Sequence, residues 1–125
     1  MANKKRVLVV EDEKPLARIL ENELQAAGFE TKYASNGKEA LDTLILEKFD
    51  IILLDLLMPV MDGFQVMDEL SKRKDQTPVI VITNLGQEED KQKVTALGAK
   101  EYLIKTDTPI FELIARVKAF LTKGT

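Results

Sequence analysis

The sequence predicts a doubly wound α/β fold, a three-layer (βα)5 sandwich with a five-stranded parallel sheet between two layers of helices. Two observations predict it. Five short apolar runs alternate along the 125 residues with five segments whose apolar residues recur at helical spacing. No linker rich in proline, glycine or serine interrupts this alternation. Strands that alternate with helices form βαβ units, which place consecutive strands parallel and cover both faces of the sheet.

The predicted strands are short runs that favour extended backbone. In chain order they are Arg6–Val10, Thr31–Ala34, Ile51–Leu54, Val79–Thr83 and Glu101–Ile104. The third and fourth runs, IILL and VIVIT, show no alternation of polar and apolar residues. Such continuous apolar runs are typical of strands that are buried on both faces.

The first three predicted helices have clear start or stop signals. The first, Pro15–Ala27, is ended by Gly28. The second and third open on capping boxes, in which Asn or Asp is followed three residues later by Glu or Gln. These pairs are Asn36 with Glu39 and Asp62 with Gln65.

The last two helices are predicted from similar signals. The fourth is the polar segment Glu88–Leu97, ended by Gly98, and Thr108–Pro109 opens the fifth. Across all five helices, one apolar stripe is expected to face the sheet. In helix order its residues are Leu16, Ile19, Leu20, Leu24 and Ala27; Ala40, Leu41, Leu44 and Ile45; Phe64, Met67 and Leu70; Val94 and Leu97; and Ile110, Leu113, Ile114, Val117 and Leu121.

The composition predicts one ordinary domain over residues 1–125, structured over about 5–122, and excludes several kinds of chemistry. Without cysteine there is no disulfide or thiolate site, and without histidine no Ser–His–Asp triad and no phosphohistidine. The net charge of −3 gives no sign of a nucleic-acid-binding surface. Residues 1–6 do not have the pattern of a signal peptide, and no apolar run approaches the roughly 18 residues that span a bilayer. No membrane contact and a cytoplasmic location are therefore expected.

Polar side chains follow four of the five predicted strands. In a parallel sheet, functional groups gather beyond the carboxyl ends of the strands. We therefore expect these side chains to converge on one edge of the sheet. They are Glu11, Asp12 and Glu13 after the first strand, Asp55 after the third, Thr83 at the end of the fourth, and Lys105 after the fifth.

Most of these residues also have a purely structural interpretation. Asp12 or Glu13 could cap the next helix, and a threonine or lysine at a strand end is usually structural or solvated. Asp55 is harder to explain in this way. An ionised carboxylate at the end of a central buried strand needs a cation or hydrogen bonds to compensate its charge.

The expected cluster suits a hard metal ion and phosphate chemistry. Carboxylates without histidine or cysteine form an all-oxygen site, which Mg²⁺ prefers and Mn²⁺ also accepts. Lys105 could pair with Asp55 or with a phosphate oxygen, and the Thr83 hydroxyl could donate to another. The combination indicates phosphoryl transfer onto an aspartate.

Four segments, in this order, resemble the receiver domain of two-component response regulators, including its chemotaxis members. They are VLVVEDE, DIILLDLLMPVMDGF, PVIVIT and GAKEYLIK, and the resemblance covers nearly the whole chain. It implies a flavodoxin-like fold and phosphorylation of Asp55, with Mg²⁺ bound directly by Asp12 and through water by Glu11. The Leu57 backbone carbonyl would complete the metal ligands.

The resemblance implies roles for further residues. Thr83 corresponds to the switch hydroxyl and Lys105 to the lysine of the site. Tyr102 corresponds to the aromatic residue that changes rotamer on activation, although it could equally be a half-exposed strand residue. Met58, Pro59 and Gly63 match the loop after the phosphoacceptor and shape its backbone.

One position departs from the family pattern. Response regulators usually have proline after the lysine, commonly through a cis peptide bond, whereas Thr106 follows Lys105 here. A cis bond before a residue other than proline costs about 2.5–4 kcal/mol. Either the loop holds that bond, or the peptide is trans and Lys105 approaches the site differently.

Three functions from different classes are compatible with these residues. In the first, a sensor histidine kinase or a histidine phosphotransfer protein phosphorylates Asp55, and a downstream protein target reads the change. This protein would then be a phosphoacceptor that catalyses its own phosphorylation and dephosphorylation, not an enzyme acting on a separate substrate. The second function is that of an aspartate-based phosphohydrolase. Such enzymes need a second aspartate two residues after the first, and Leu57 occupies that position here. The third is a pseudo-receiver that binds partners without being phosphorylated.

The fourth helix, fifth strand and fifth helix are expected to form the output surface. The segment EEDKQKVTALGAKEYLIK resembles the dimerising face of DNA-binding response regulators, so a phosphorylation-linked homodimer is a further expectation. The charges that could pair across it are Asp90, Lys91, Lys93, Glu112 and Arg116. The last helix ends close to Thr125, so no output domain and no direct contact with nucleic acid are expected. Whether the chain stands alone or is part of a longer regulator stays open.

Two leucines are expected to prolong the phosphorylated state. Leu57 and Leu85 lie two residues beyond the phosphoacceptor and the switch threonine, where the resemblance places the path of the attacking water. Neither side chain can orient a water molecule by hydrogen bonding. The alternative is that both leucines only pack against neighbouring loops.

Overall fold

The computed structural model describes residues 4–122 and contains one five-stranded sheet. Residues 1–3 and 123–125, which the predicted domain bounds include, lie outside the described residues. The strands are β1 (Arg6–Val10), β2 (Glu30–Ala34), β3 (Ile51–Leu54), β4 (Val79–Thr83) and β5 (Glu101–Ile104). All neighbouring strands are parallel, and their order across the sheet is β2-β1-β3-β4-β5. The doubly wound parallel sheet that the sequence predicts is confirmed.

Five α-helices and one 3₁₀ turn connect or follow the strands. The helices are α1 (Lys14–Ala26), α2 (Gly37–Leu46), α3 (Gly63–Lys72), α4 (Glu88–Ala96) and α5 (Ile110–Thr122). The 3₁₀ turn, Lys105–Asp107, lies between β5 and α5. Within residues 4–122, no helix is long and apolar enough to cross a membrane.

Successive residues of the central strands point into two separate apolar clusters, one on each face of the sheet. In β3, Ile52 and Leu54 pack with residues of α2, α3 and α4, whereas Ile51 and Leu53 pack with residues of α1 and α5. This alternation follows from the period of two residues along a strand. It produces the three layers and leaves β1, β3 and β4 buried between them.

Most predicted boundaries agree with the structure to within one residue. β1, β3, β4 and β5 begin and end as predicted, while β2 and α1 each begin one residue earlier. Helix α4 ends at Ala96, so that Leu97 is its C-cap. The 3₁₀ turn was not predicted, because three residues are too few to show helical periodicity.

The two predicted capping boxes differ in outcome. Asp62 and Gln65 form a complete box, with side-chain to backbone hydrogen bonds of 2.9 and 3.0 Å in the two directions. Asn36 accepts the Glu39 N–H at 2.9 Å, but the Glu39 carboxylate accepts the N–H of Ser35 instead of that of Asn36. The second helix is therefore capped by half of the predicted box.

Two residues predicted to face the core are exposed. Ile19 retains 48% of its accessible surface and Ile45 retains 68%. In α1 the buried residues are Ala17, Leu20 and Leu24, and Ile19 lies about 100° around the helix from Leu20. Ile45 lies in the last turn of α2, next to the exposed Leu46. Both residues continue an apolar run without belonging to the buried stripe.

Gly63 provides a test of close packing at the start of α3. A Cβ atom at this position would contact the Asp55 carbonyl oxygen and would lie 2.7 Å from Leu56 Cα. Since both neighbours are backbone atoms, we expect Gly63→Ala to lower the free energy of unfolding by about 2–3 kcal/mol. Gly86→Ala is the matched control, because nothing lies within 4 Å of its added Cβ. Denaturant unfolding that gave equal stabilities for the two variants would contradict this packing.

Candidate functional site

The parallel register brings two carboxylates together at the carboxyl edge of the sheet. Val10 and Leu54 are paired between β1 and β3, so the residues that follow them, Glu11 and Asp55, are neighbours. The Asp55 N–H donates to the Val10 carbonyl at 3.1 Å, which continues the ladder for one more residue. Carboxylate oxygens of Glu11, Asp12 and Asp55 lie within 4.8 Å of one another. We call these three residues the acidic cluster.

The acidic cluster combines two buried carboxylates with one exposed carboxylate. Glu11 is fully buried and Asp55 is 2% exposed, whereas Asp12 faces solvent. Buried negative charges are unfavourable unless a cation and hydrogen bonds compensate them. The arrangement therefore requires positive charge inside the cluster and leaves one carboxylate accessible from outside.

Lys105 supplies this positive charge. Its Nζ lies 2.8 Å from Glu11 Oε1, 2.9 Å from Asp55 Oδ2 and 3.1 Å from Glu13 Oε1. Because its side chain is only 12% exposed, solvent screens these ion pairs much less than it screens pairs on the surface. Lys105 follows β5, at the edge of the sheet, and its side chain reaches to the ends of β3 and β1.

Backbone amides satisfy the remaining oxygens of the two buried carboxylates. The Leu57 N–H donates to Asp55 Oδ1 and the Glu13 N–H donates to Glu11 Oε2, both at 3.1 Å. Each carboxylate thus faces the ammonium with one oxygen and an amide with the other. The prediction that the side chain of Asp12 or Glu13 could cap α1 is wrong. Glu13 occupies the N-cap position without a side-chain cap, and its carboxylate contacts Lys105 instead.

The electrostatic environment shifts the pKa values of Glu11 and Lys105 upward. Burial raises the pKa of Glu11 from 4.5 to about 7, although the Lys105 ammonium and the Glu13 N–H partly oppose this shift. Burial lowers the pKa of Lys105, but hydrogen bonds and charge attraction from Glu11 and Asp55 outweigh it. The pKa of Lys105 therefore lies above its usual range. Lys105 stays charged at neutral pH, while Glu11 titrates near neutrality.

The donors of the acidic cluster fit a hard divalent cation. They are all carboxylate oxygens close to one another, and two of them carry buried negative charge. Mg²⁺ prefers oxygen ligands and keeps several of its waters, which an edge with one exposed carboxylate can accommodate. The side chain of Leu57 is 51% exposed at this edge and offers no polar atom.

A second group of predicted residues is connected through the backbone of Leu85. The buried Thr83 accepts the Leu85 N–H at its Oγ1, at 3.3 Å. The Tyr102 hydroxyl donates to the Leu85 carbonyl at 2.6 Å. Tyr102 is half-buried, and burial raises the pKa of its hydroxyl. Leu85 itself is half-buried and packs against the apolar cluster of α2, α3 and α4.

The loop between β3 and α3 is tightly folded beside Asp55. The Met61 N–H donates to the Pro59 carbonyl at 2.7 Å, and Val60 between them has a φ of 68°. This is a γ-turn, which is strained for a β-branched residue. Met58 and Met61 are half-buried against the apolar core and hold the two sides of the turn in place.

The Lys105–Thr106 peptide is trans, since none of the peptide bonds of the described residues is cis. Of the two peptide geometries left open by the sequence, the structure therefore has the trans form. The Thr106 N–H donates to Asn84 Oδ1 at 3.2 Å. Neither Asn84 nor the contact of Glu13 with Lys105 was predicted. The available signal was weak: Glu13 belongs to the acidic run after β1, and Asn84 directly follows Thr83.

Comparison with known proteins gives a consistent result. Residues 7–118 match the family model described as the response regulator receiver domain. A probable transcriptional regulator, ycf27, of Cyanophora paradoxa is 41% identical over 121 residues, which are 97% of this chain and 50% of that protein. The alkaline phosphatase synthesis transcriptional regulatory protein PhoP of Bacillus subtilis is 38% identical over 120 residues, 96% of this chain and 50% of that protein. The chain thus spans about half the length of these curated relatives.

Solved structures show the same similarity. A Francisella response regulator receiver domain has a TM-score of 0.89 and 33% identity, covering 98% of this chain and 100% of that chain. The response regulator TrrA of Thermotoga maritima, solved in complex with Mg(2+)-BeF, has a TM-score of 0.81 and 32% identity. The match covers 94% of this chain and 98% of the TrrA chain.

The raised pKa of Glu11 predicts a dependence of stability on pH. Between its ordinary pKa of 4.5 and its folded value of about 7, the folded protein holds a proton that the unfolded chain releases. The resulting stabilisation is complete below the lower value and is lost as the pH rises through the upper one. In metal-free buffer, the free energy of unfolding should fall by about 2 kcal/mol between about pH 5 and 8, relative to Glu11→Gln. Denaturant unfolding of both proteins at several pH values measures this difference. If the free energy of unfolding varied with pH in the same way for both proteins, the prediction would be wrong.

Proposed function

The chain belongs to the response regulator receiver domain family of two-component signalling, and from this premise we propose that Asp55 is its phosphoacceptor. One observation carries the proposal: the buried Asp55 carboxylate ends a central strand, contacts the Lys105 ammonium at 2.9 Å and lies in the acidic cluster. We further propose that residues 5–122 form one receiver domain.

Receiver domains of response regulators take phosphate from histidine kinases. For this chain we propose a phosphohistidine donor on a sensor kinase or a histidine phosphotransfer protein. An Asp55 carboxylate oxygen attacks phosphorus, the O–P bond forms and the N–P bond breaks. The donor imidazole keeps the electron pair of the broken bond and takes up a proton. The Lys105 ammonium and the Thr83 hydroxyl bind phosphoryl oxygens as charge moves onto them.

Receiver domains bind Mg²⁺ at an acidic pocket. We propose that Asp12 and Asp55 bind this ion directly, Glu11 through water, and Leu57 through its carbonyl, with Mn²⁺ as an alternative. The bound ion would neutralise negative charge between Asp55 and the incoming phosphoryl group. The all-oxygen donor set, with two buried carboxylates, supports this proposal.

The contacts around Leu85 support a switch. Thr83 is buried at the end of β4, and it is linked through the Leu85 backbone to the Tyr102 hydroxyl on β5. If the Thr83 hydroxyl turns toward a phosphoryl group, the Leu85 segment and Tyr102 must readjust. Val94 is the only residue of α4 that is buried. An element with so few core contacts shifts at little cost, so we place the output surface on α4, β5 and α5.

The alternative functions have less support. Family members are generally not true enzymes. A phosphohydrolase would need an acid two residues after Asp55, where this chain has an exposed leucine. A pseudo-receiver would not need the complete set of Asp12, Asp55 and Lys105. Phosphorylation and slow self-dephosphorylation at Asp55 therefore remain the function we propose.

The central test is phosphorylation by acetyl phosphate with Mg²⁺, followed by mass spectrometry of the intact protein. Wild type should gain the mass of one phosphoryl group, and Asp55→Ala should gain none, because the nucleophile is absent. Asp12→Asn should lose both Mg²⁺ binding and phosphorylation, because one of few carboxylate ligands is removed. Asp68→Asn is a matched control, since Asp68 is exposed on α3 and pairs with Lys72. Normal phosphorylation of Asp12→Asn would refute the metal assignment.

The proposed output surface leads to a test of self-association. Arg116 pairs within the monomer, with Glu101 at 2.8 Å and Glu112 at 3.7 Å, and Lys93 lies over the Phe64 ring. A symmetric dimer must exchange such contacts for intermolecular ones. We expect beryllofluoride with Mg²⁺ to shift sedimentation from monomer toward dimer, and Arg116→Ala to reduce the shift. An unchanged monomer at high concentration would remove dimerisation from the mechanism.

The lifetime of the phosphorylated state tests the two leucines. The exposed Leu57 side chain and the half-buried Leu85 offer no hydrogen bond to an attacking water. Polar side chains at both positions should speed hydrolysis by about one to two orders of magnitude. The measurement is phosphate loss after the phosphodonor is removed, comparing wild type with the double variant Leu57→Asn/Leu85→Glu. Equal decay rates would show that these leucines only pack.

A further inference from the structure

The turn that presents Lys105 is held by few contacts of its own. Thr106 and Asp107 are exposed, and only the Lys105 side chain is directed into the site. Its internal hydrogen bond, from the Thr108 N–H to the Lys105 carbonyl, is long at 3.4 Å. The buried Thr108 anchors the exit of the turn, whereas its entrance lies on the edge strand β5. The position of the Lys105 backbone therefore depends on contacts from outside the turn.

Asn84 provides such a contact. Its Oδ1 accepts the Thr106 N–H at 3.2 Å and joins residues that are 22 positions apart in the sequence. Only the oxygen of the side-chain amide can accept an N–H, so this geometry sets the orientation of the amide group. The bond exists because residue 106 is not proline, which has no N–H to donate.

We propose that Asn84 is a positioning residue that holds the Lys105 turn in register with the acidic cluster. The consequence for phosphoryl transfer rests on the proposed function of Asp55. Lys105 Nζ lies 2.8 Å from Glu11 and 2.9 Å from Asp55, so a displacement of the turn would act on both ion pairs. Charge stabilisation in a partly buried site falls steeply with such displacement.

The test compares Asn84→Ala with Asn84→Asp, which keeps an oxygen acceptor, and with Gln87→Ala as a control. Gln87 is exposed in the same loop, and its side chain does not cap α4. Three readouts are measured: hydrogen exchange of the Thr106 amide by NMR, the Lys105 ammonium resonance, and the phosphorylation rate with acetyl phosphate. The Mg²⁺ dissociation constant is measured as well, because Asn84 does not belong to the acidic cluster.

We expect Asn84→Ala to speed exchange of the Thr106 amide and to lower the phosphorylation rate, each by about twofold to tenfold. The Lys105 ammonium resonance should broaden, and the Mg²⁺ dissociation constant should stay within about twofold. Asn84→Asp should restore protection of the amide, and Gln87→Ala should resemble wild type. Equal amide protection in Asn84→Ala and wild type would overturn the proposal, as would phosphorylation rates that match those of Gln87→Ala.

The two proposals fail in different ways. If wild type takes up no phosphoryl group, the proposed function of Asp55 fails. The amide exchange and the ammonium resonance then still decide whether Asn84 positions the turn. If wild type is phosphorylated and Asn84→Ala leaves the amide, the resonance and the rate unchanged, only the role of Asn84 is refuted.

Discussion

The structure depends on the compensation of two buried negative charges by one ammonium group. Glu11 and Asp55 are forced together because they follow paired residues of β1 and β3. Removing both from water is costly, and Lys105 offsets that cost at 2.8 and 2.9 Å. Lys105 begins the 3₁₀ turn after β5, and Asn84 in the loop after β4 accepts the Thr106 N–H of that turn. The raised pKa of Glu11 indicates that the compensation is incomplete without a further positive charge.

The parts of the site differ in how firmly they are held. The carboxylates follow central strands whose residues are buried in the apolar layers on both faces. Thr83 is likewise buried at the end of β4, whereas Thr106 and Asp107 of the Lys105 turn are exposed and Val94 alone is buried in α4. Firmly held carboxylates beside more weakly packed outer elements suit the switch that we propose. The Tyr102 hydroxyl donates to the Leu85 carbonyl, and Asn84 accepts the Thr106 N–H. These two hydrogen bonds join β5 and its turn to the loop after β4.

This chain combines features of its family with contacts of its own. The match to the response regulator receiver domain covers residues 7–118, which include the acidic cluster and Lys105. Thr106 replaces the usual proline, and its amide group is used in a bond to Asn84 that proline could not form. Glu13 adds a third carboxylate at Lys105 Nζ. Both contacts involve the lysine or the turn that carries it.

The alternation of strands and helices could be predicted from the sequence, because burial on two faces imposes apolar runs such as IILL and VIVIT. The N-caps Asn36 and Asp62 and the polar residues at the strand ends could be predicted as well, since these depend on local spacing. Three-dimensional packing was needed to establish that Ile19 and Ile45 are exposed and that the Lys105–Thr106 peptide is trans. The same holds for the contacts of Glu13 with Lys105 and of Asn84 with the turn. These outcomes depend on distances between residues far apart in the chain. Local periodicity carries no information about such distances. The raised pKa of Glu11 also depends on them, because it results from burial and from the groups around the carboxylate.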